Sequence, residues 1–234
     1  MALSGSLRKA EETSSSLKKE IPLVIKRLKK HVKGYPVPVV TEISHEGNPF
    51  KVLISCLLSL RTRDETTAKA SERLFAVCED PYNMAKLTIP RIRNLIYPVG
   101  FYKTKAMRIK GICLELIRKY DGEVPNNLDE LLKLNGVGRK TANLVLTLGY
   151  MDPTGLCIDT HCHRIPNRLG WINTKNPHDT EMALRKIVPK KYFLSFNDIF
   201  VAFGQHLCKP ISPRCGRCPV FKYCKWPKKD DVRH

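Results

Sequence analysis

Leu134-Asn135-Gly136-Val137-Gly138-Arg139-Lys140-Thr141-Ala142 is the stretch from which the fold can be read. It joins two segments of helical apolar spacing, Leu128 to Leu134 and Arg139 to Leu148, through a tight turn that holds two glycines. Glycine permits positive φ and leaves backbone N–H groups uncovered. A phosphate can then come against the N-terminus of the following helix, where the helix dipole favours an anion. Gly136, Val137 and Gly138 therefore read as a helix-hairpin-helix phosphate clamp. Taken alone, the same turn is also an ordinary helix connection.

Outward from the hairpin the helical spacing continues in both directions. Apolar residues recur at three- and four-residue intervals over 21–32, 50–60, 62–77, 89–96 and 103–120, and again over 160–169, 180–187 and 196–207. Strand-like alternation is almost absent, and Gly and Pro fall between the segments at Pro90, Pro98, Gly100 and Gly149. The expected fold class is all-α with short loops. Residues 4–16, rich in Ser, Glu and Lys, read as a tail, and so does the end at 225–234.

The chain has 234 residues, 42% hydrophobic and 27% charged, with no apolar run near the roughly 18 residues of a membrane span. Its first nineteen residues hold no apolar core. The expectation is an intracellular protein, not secreted and with no membrane partner. Lys and Arg number 41 against 22 Asp and Glu, a formal charge of +19, which makes nucleic acid the expected partner.

Nine cysteines, an odd number, argue against a disulfide framework in a reducing compartment. Four of them, Cys208, Cys215, Cys218 and Cys224, form C-x6-C-x2-C-x5-C inside a basic stretch. Thiolates so spaced can converge on one metal centre. One linear run with unequal gaps is in the style of an iron-sulfur cluster, while four thiolates also suit tetrahedral zinc; the spacing leaves both open. Lys209 and Arg214, held between the first two cysteines, are placed to face phosphates.

Lys140 falls in the first turn of the helix after the hairpin. A helix N-terminus disfavours a cation, and a neutral amine can attack an electrophilic carbon, so Lys140 is a candidate nucleophile as well as a possible solvated lysine. Asp159 follows nineteen residues on, in Ile158-Asp159-Thr160-His161. Asp there can cap the next helix, and capping and catalysis are compatible on one carboxylate.

Leu-x-Gly-Val-Gly-x-Lys-Thr-Ala at 134–142, Asp-Thr-His at 159–161 with Arg164 and Asn167-Arg168, and the four-cysteine loop occur here in one order. In that order they resemble the endonuclease III family of the helix-hairpin-helix superfamily, over about residues 21–226. The resemblance implies two helical domains: a six-helix barrel domain at 42–153 with the hairpin, and a domain from both chain ends, 21–41 plus 154–234, with the cysteine loop, after a mobile tail at 1–20. It implies a [4Fe-4S] cluster on the four cysteines, Lys140 as nucleophile and Asp159 as general acid/base. It also implies that the DNA contacts include Arg61 and Phe101 at a vacated base position. His161 could join them or simply pack.

The implied activity is that of a bifunctional DNA glycosylase and abasic-site lyase. It would remove oxidised pyrimidines from damaged double-stranded DNA as a monomer. Two departures stand out, Arg61 where many relatives carry Gln and Phe101 where Leu is frequent. The alternatives are a monofunctional mismatch or uracil glycosylase, and a non-catalytic DNA-binding module. Lys140 together with Asp159 argues against both.

Overall fold

The structure, a computed structural model, describes the backbone of residues 3–230 and the side chains of residues 16–230. Among the described residues every regular element is helical. No helix there is long and apolar enough to cross a membrane. The chain divides into two compact units, Met1–Pro36 with Leu156–His234, and Val37–Gly155.

The first unit begins with α1, Leu3–Val32. The segment expected as a tail is thus part of the same helix. Ile21, Val24, Ile25 and Leu28 are fully buried, the i, i+3, i+4, i+7 spacing that makes one apolar stripe.

The second unit comprises α2 (Val39–Ser44), α3 (Pro49–Ser59), α4 (Asp64–Phe75), α5 (Pro81–Lys86), α6 (Ile89–Ile96), α7 (Tyr102–Tyr120), α8 (Leu128–Lys133) and α9 (Arg139–Leu144). Its centre is α3, buried from Phe50 to Leu58 and packed against α2, α4, α7 and α9. A helix buried on all sides has no face to offer water. Each of its buried Val, Leu and Ile side chains stabilises the fold by about 1.5–3 kcal/mol. The Asn48 side chain accepts hydrogen bonds from Phe50 N at 3.0 Å and Lys51 N at 3.2 Å, and Pro49 takes the first helical position. Asp80 with Pro81 starts α5 in the same way, accepting from Asn83 N at 2.9 Å.

Two short helices of six residues each, α2 and α5, were not expected from periodicity. The expected helix over 139–148 changes character at Val145, where a π-helical turn runs to Gly149. There Gly149 comes so near α3 that a Cβ would stand 3.1 Å from the Pro49 backbone.

The first unit resumes with α10 (Thr160–Leu169), α11 (Pro177–Ile187) and α12 (Phe193–His206). In α12, Phe196 and Phe200 stack at 4.1 Å and, with Phe203, pack into the core that α1 closes. Beyond it the described residues hold only short 3-10 turns. Residues 225–230, expected as loose, are fastened instead: Lys229 Nζ donates to Cys224 O at 2.6 Å, and Trp226 lies under the Arg168 guanidinium. Residues 231–234 lie outside the described residues.

Candidate nucleic-acid interface and metal centre

The hairpin is built locally. Asn127 caps α8 by accepting from Glu130 N at 2.9 Å, and Val137 N closes the turn onto Leu134 O at 3.0 Å. The two glycines serve different ends. Gly136 has φ +88, a backbone that favours glycine, and a Cβ there would stand 2.9 Å from Arg108 Cδ, so that the arginine side chain would have to shift. Gly138 has φ −93, and nothing lies within 4 Å of where its Cβ would be. Its bareness leaves room that the protein itself does not fill, at the start of α9. Val137 is buried and anchors the turn between them.

Lys140 is exposed in the first turn of α9. Beneath it lies Cys56 of α3, whose thiol burial pushes up to about 12 while the Lys140 charge acts in the opposite sense. A thiol so protonated is inert.

Arg61 and Phe101, forty residues apart, are brought together. Both have positive φ, 52 and 57, and the Arg61 guanidinium carbon lies 5.6 Å from the centroid of the Phe101 ring. Gly100 permits this approach, since a Cβ there would stand 2.5 Å from Arg61 O. Phe101 is 63% exposed, a large cost for an aromatic ring, and the pair lines a cavity with Leu60, Thr104, Lys105 and Arg108. Lys105 and Arg108 are neighbours that sequence reasoning passed over.

Asp159 belongs to the other unit and caps α10. Its Oδ1 accepts from His161 N at 2.9 Å and Cys162 N at 2.8 Å. Two backbone donors fix this carboxylate in place. The His161 ring packs on α12, so closely that a Cβ on Gly204 would stand 2.2 Å from its Nδ1. That nitrogen also lies 3.0 Å from Arg164 Nη2.

Two arginines one turn apart on α10 reach the cysteine loop. Arg164 Nη2 donates to Cys208 O at 2.8 Å. Arg168 donates to Lys209 O at 2.8 Å, Pro210 O at 3.0 Å and Cys208 Sγ at 3.4 Å, and stacks 4.2 Å from the Trp226 ring. Arg168 stood in the sequence motif without a role. Its two donors to the carbonyls of Lys209 and Pro210 hold the segment that carries Lys209 and Arg214, the latter exposed.

Cys208, Cys215, Cys218 and Cys224 line one cavity, floored by Ile165, Leu169 and Val220. Burial, then the neighbouring thiols, pushes Cys218 up to about 12 and raises Cys215 and Cys224 in the same direction. Thiols whose ionisation is opposed by burial and by one another fit a cationic centre that would bind them as thiolates. Among the described residues no group of three or more His, Cys, Asp or Glu is arranged to hold a single metal ion. Four cysteines in one linear run with unequal gaps are in the style of an iron-sulfur cluster.

Residues 54–190 match the HhH-GPD superfamily of base excision DNA repair proteins, and residues 208–224 match the iron-sulfur binding domain of endonuclease III. The chain is 49% identical over 181 residues to endonuclease III of Thermotoga maritima, covering 77% of this chain and 84% of that one. It is 43% identical to endonuclease III homolog 1 of Arabidopsis thaliana over 75% of this chain, which spans 48% of that longer protein. Among solved structures, a non-covalent endonuclease III–DNA complex superposes with a TM-score of 0.81 at 33% identity, covering 92% of this chain and 98% of that chain. A thermostable thymine-DNA glycosylase shares the fold, with a TM-score of 0.79 at 23% identity. With the hairpin, the capped Asp159 and the four-cysteine cavity, these matches make the chain a member of the endonuclease III family within the HhH-GPD superfamily, carrying a [4Fe-4S] cluster.

Proposed function

We infer that the chain is a bifunctional DNA glycosylase and abasic-site lyase of base excision repair, acting as a monomer on double-stranded DNA that contains oxidised pyrimidines. The observation that carries the reading is Lys140: an exposed amine in the first turn of α9, directly after a turn that Gly138 leaves open. A damaged base inside a duplex is out of reach, so its nucleotide is flipped out first, at a cost of a few kcal/mol that the damage itself lowers. Arg61 and Phe101 fill the vacated position, the ring by stacking and the guanidinium by donating to the orphaned base or a phosphate.

Lys140 Nζ attacks the sugar C1′, and the glycosidic bond breaks with its electron pair leaving on the base. Asp159 takes the amine proton and offsets the positive charge that develops on the sugar. Ring opening then gives a Schiff base between Lys140 and C1′. Loss of a proton from C2′ expels the 3′ phosphate, cutting the strand on that side, and hydrolysis frees the lysine. The hairpin's backbone N–H groups, Lys209 and Arg214 hold phosphates meanwhile. When bound, the cluster supplies four sulfur–iron bonds that close the loop carrying those two cations. The reducing chemistry such a cluster requires supports an intracellular location.

The test is borohydride trapping on duplexes carrying an abasic site or thymine glycol. The wild-type chain is expected to give a covalent complex on both and Lys140→Gln on neither, while Lys140→Gln still binds DNA. A trapped complex in normal yield from Lys140→Gln makes another amine the nucleophile.

A further inference from the structure

Lys105 presents an unusual combination: a lysine only 5% exposed, on the helix that follows Phe101, with its ammonium turned toward the loop that carries Arg61. Its Nζ donates to Leu58 O at 2.8 Å, Leu60 O at 2.6 Å and Thr62 Oγ1 at 3.1 Å. The last carbonyls of α3 have no partner within their own helix, and a cation at a helix C-terminus is favoured. Thr62 Oγ1 is saturated as well, donating to Leu60 O at 3.2 Å and accepting from Gly100 N at 3.2 Å. One buried charge thus ties the end of α3, Thr62 and, through Thr62, the Gly100 turn.

We propose that Lys105 is a positioning residue for lesion recognition, its ammonium holding residues 58–62 against Gly100 so that Arg61 and Phe101 stand preassembled as one insertion unit. This rests on the reading of Arg61 and Phe101 as contacts at the vacated base position. Both residues have left-handed backbone, which side chains other than glycine adopt only when surrounding bonds enforce it. The three bonds of Lys105 supply that enforcement. While the ammonium is charged, all three of its protons are engaged in these bonds and no lone pair is presented. Burial, then the nearby Arg108, lowers Lys105 to about 8. No carboxylate or imidazole lines this cavity, and the charged neighbours there are the guanidiniums of Arg61 and Arg108. Deprotonation removes one of the three donors, so the hold weakens as pH rises through the region of 8.

The experiment measures binding of the full chain, by fluorescence anisotropy at fixed salt from pH 6.5 to 9, to two duplexes. One is undamaged and the other carries a tetrahydrofuran abasic analogue, which lacks the C1′ leaving chemistry. For wild type, the preference for the abasic duplex is expected to fall by about 10-fold across the range, the scale of one lost charged hydrogen bond. In Lys105→Met, which removes all three donated bonds, it is expected to start at least about 10-fold lower at pH 6.5 and to stay flat. A flat wild-type profile overturns the proposal, and so does an unchanged preference in Lys105→Met, even with a lowered melting temperature. If Lys105→Met does not fold, the wild-type profile decides alone. Arg61→Ala and Phe101→Ala separate the two levels. If both keep the full preference, the insertion reading itself fails; if they lose it while Lys105→Met keeps it, only the role of Lys105 fails. Loss of borohydride trapping in Lys105→Met at saturating abasic DNA, with preference intact, also overturns the proposal by making this amine chemical.

Discussion

The hairpin at 134–138 and the cysteine loop at 208–224 are both short irregular segments, yet they are held in opposite ways. The hairpin closes on its own backbone: Val137 N bonds to Leu134 O, Asn127 caps the helix before it, and glycine conformation sets the bend. The cysteine loop closes single 3-10 turns on its own backbone, as Cys218 N does onto Cys215 O at 3.0 Å, but what ties those turns to the helices comes from elsewhere, from Arg164 and Arg168 on α10 and from the centre its thiols would bind. A segment that satisfies its own backbone needs no cofactor to persist. One that borrows its partners fails when any of them is removed.

The largest expected effect breaks the comparison on the loop side. Cys215→Ser removes one ligand of four; visible absorbance should bleach, and residues 208–230 should become open to protease while 128–148 stay protected. Equal protease sensitivity in both regions would contradict the division. Next is Asp159→Asn, which keeps an oxygen for His161 N and Cys162 N and so keeps the α10 cap. Single-turnover base excision should fall by at least ~100-fold with the melting temperature unchanged. Excision at the wild-type rate would leave Asp159 as a cap alone.

Arg168→Met removes three donated hydrogen bonds and a cation–π contact, and should destabilise the loop by about 2–3 kcal/mol. Iron release to a chelator should be faster, with hairpin amide exchange unaltered. The smallest effects lie within the hairpin and divide its two glycines. Gly136→Ala, at φ +88 with Arg108 Cδ in the way, should cost about 1–2 kcal/mol in chemical denaturation. Gly138→Ala should leave stability unchanged or slightly higher and weaken binding to undamaged duplex. If Gly138→Ala binds as wild type does, no phosphate approaches there.

Helical class, the hairpin turn, the place of Lys140 in a first helical turn, the Asp159 cap and the short run of four cysteines were legible in the residues, because each rests on spacing over a few positions. Apolar repeats every three or four residues mark a helix, cap residues mark its start, and Gly-x-Gly marks the turn. The six-residue helices α2 and α5 were not read from that signal, although Asp80-Pro81 carried the start of one of them. Their existence depends on packing against α3 and α7 rather than on local preference.

What only the tertiary structure decided is which side chains meet. Arg61 and Phe101 stand apart in the chain and share a cavity; Arg168 lies 41 positions before the Lys209 carbonyl it holds, and Lys105 lies 47 beyond that of Leu58. No periodicity relates such positions. The acceptors are backbone oxygens, which every residue has and no residue name reveals. An isolated lysine in a basic chain reads as solvated surface; only the fold shows that this one is buried and that each of its protons has a partner. By itself the sequence determined the helices and the chemistry their ends present, because those depend on neighbours along the chain. The supports that aim that chemistry depend on neighbours in space.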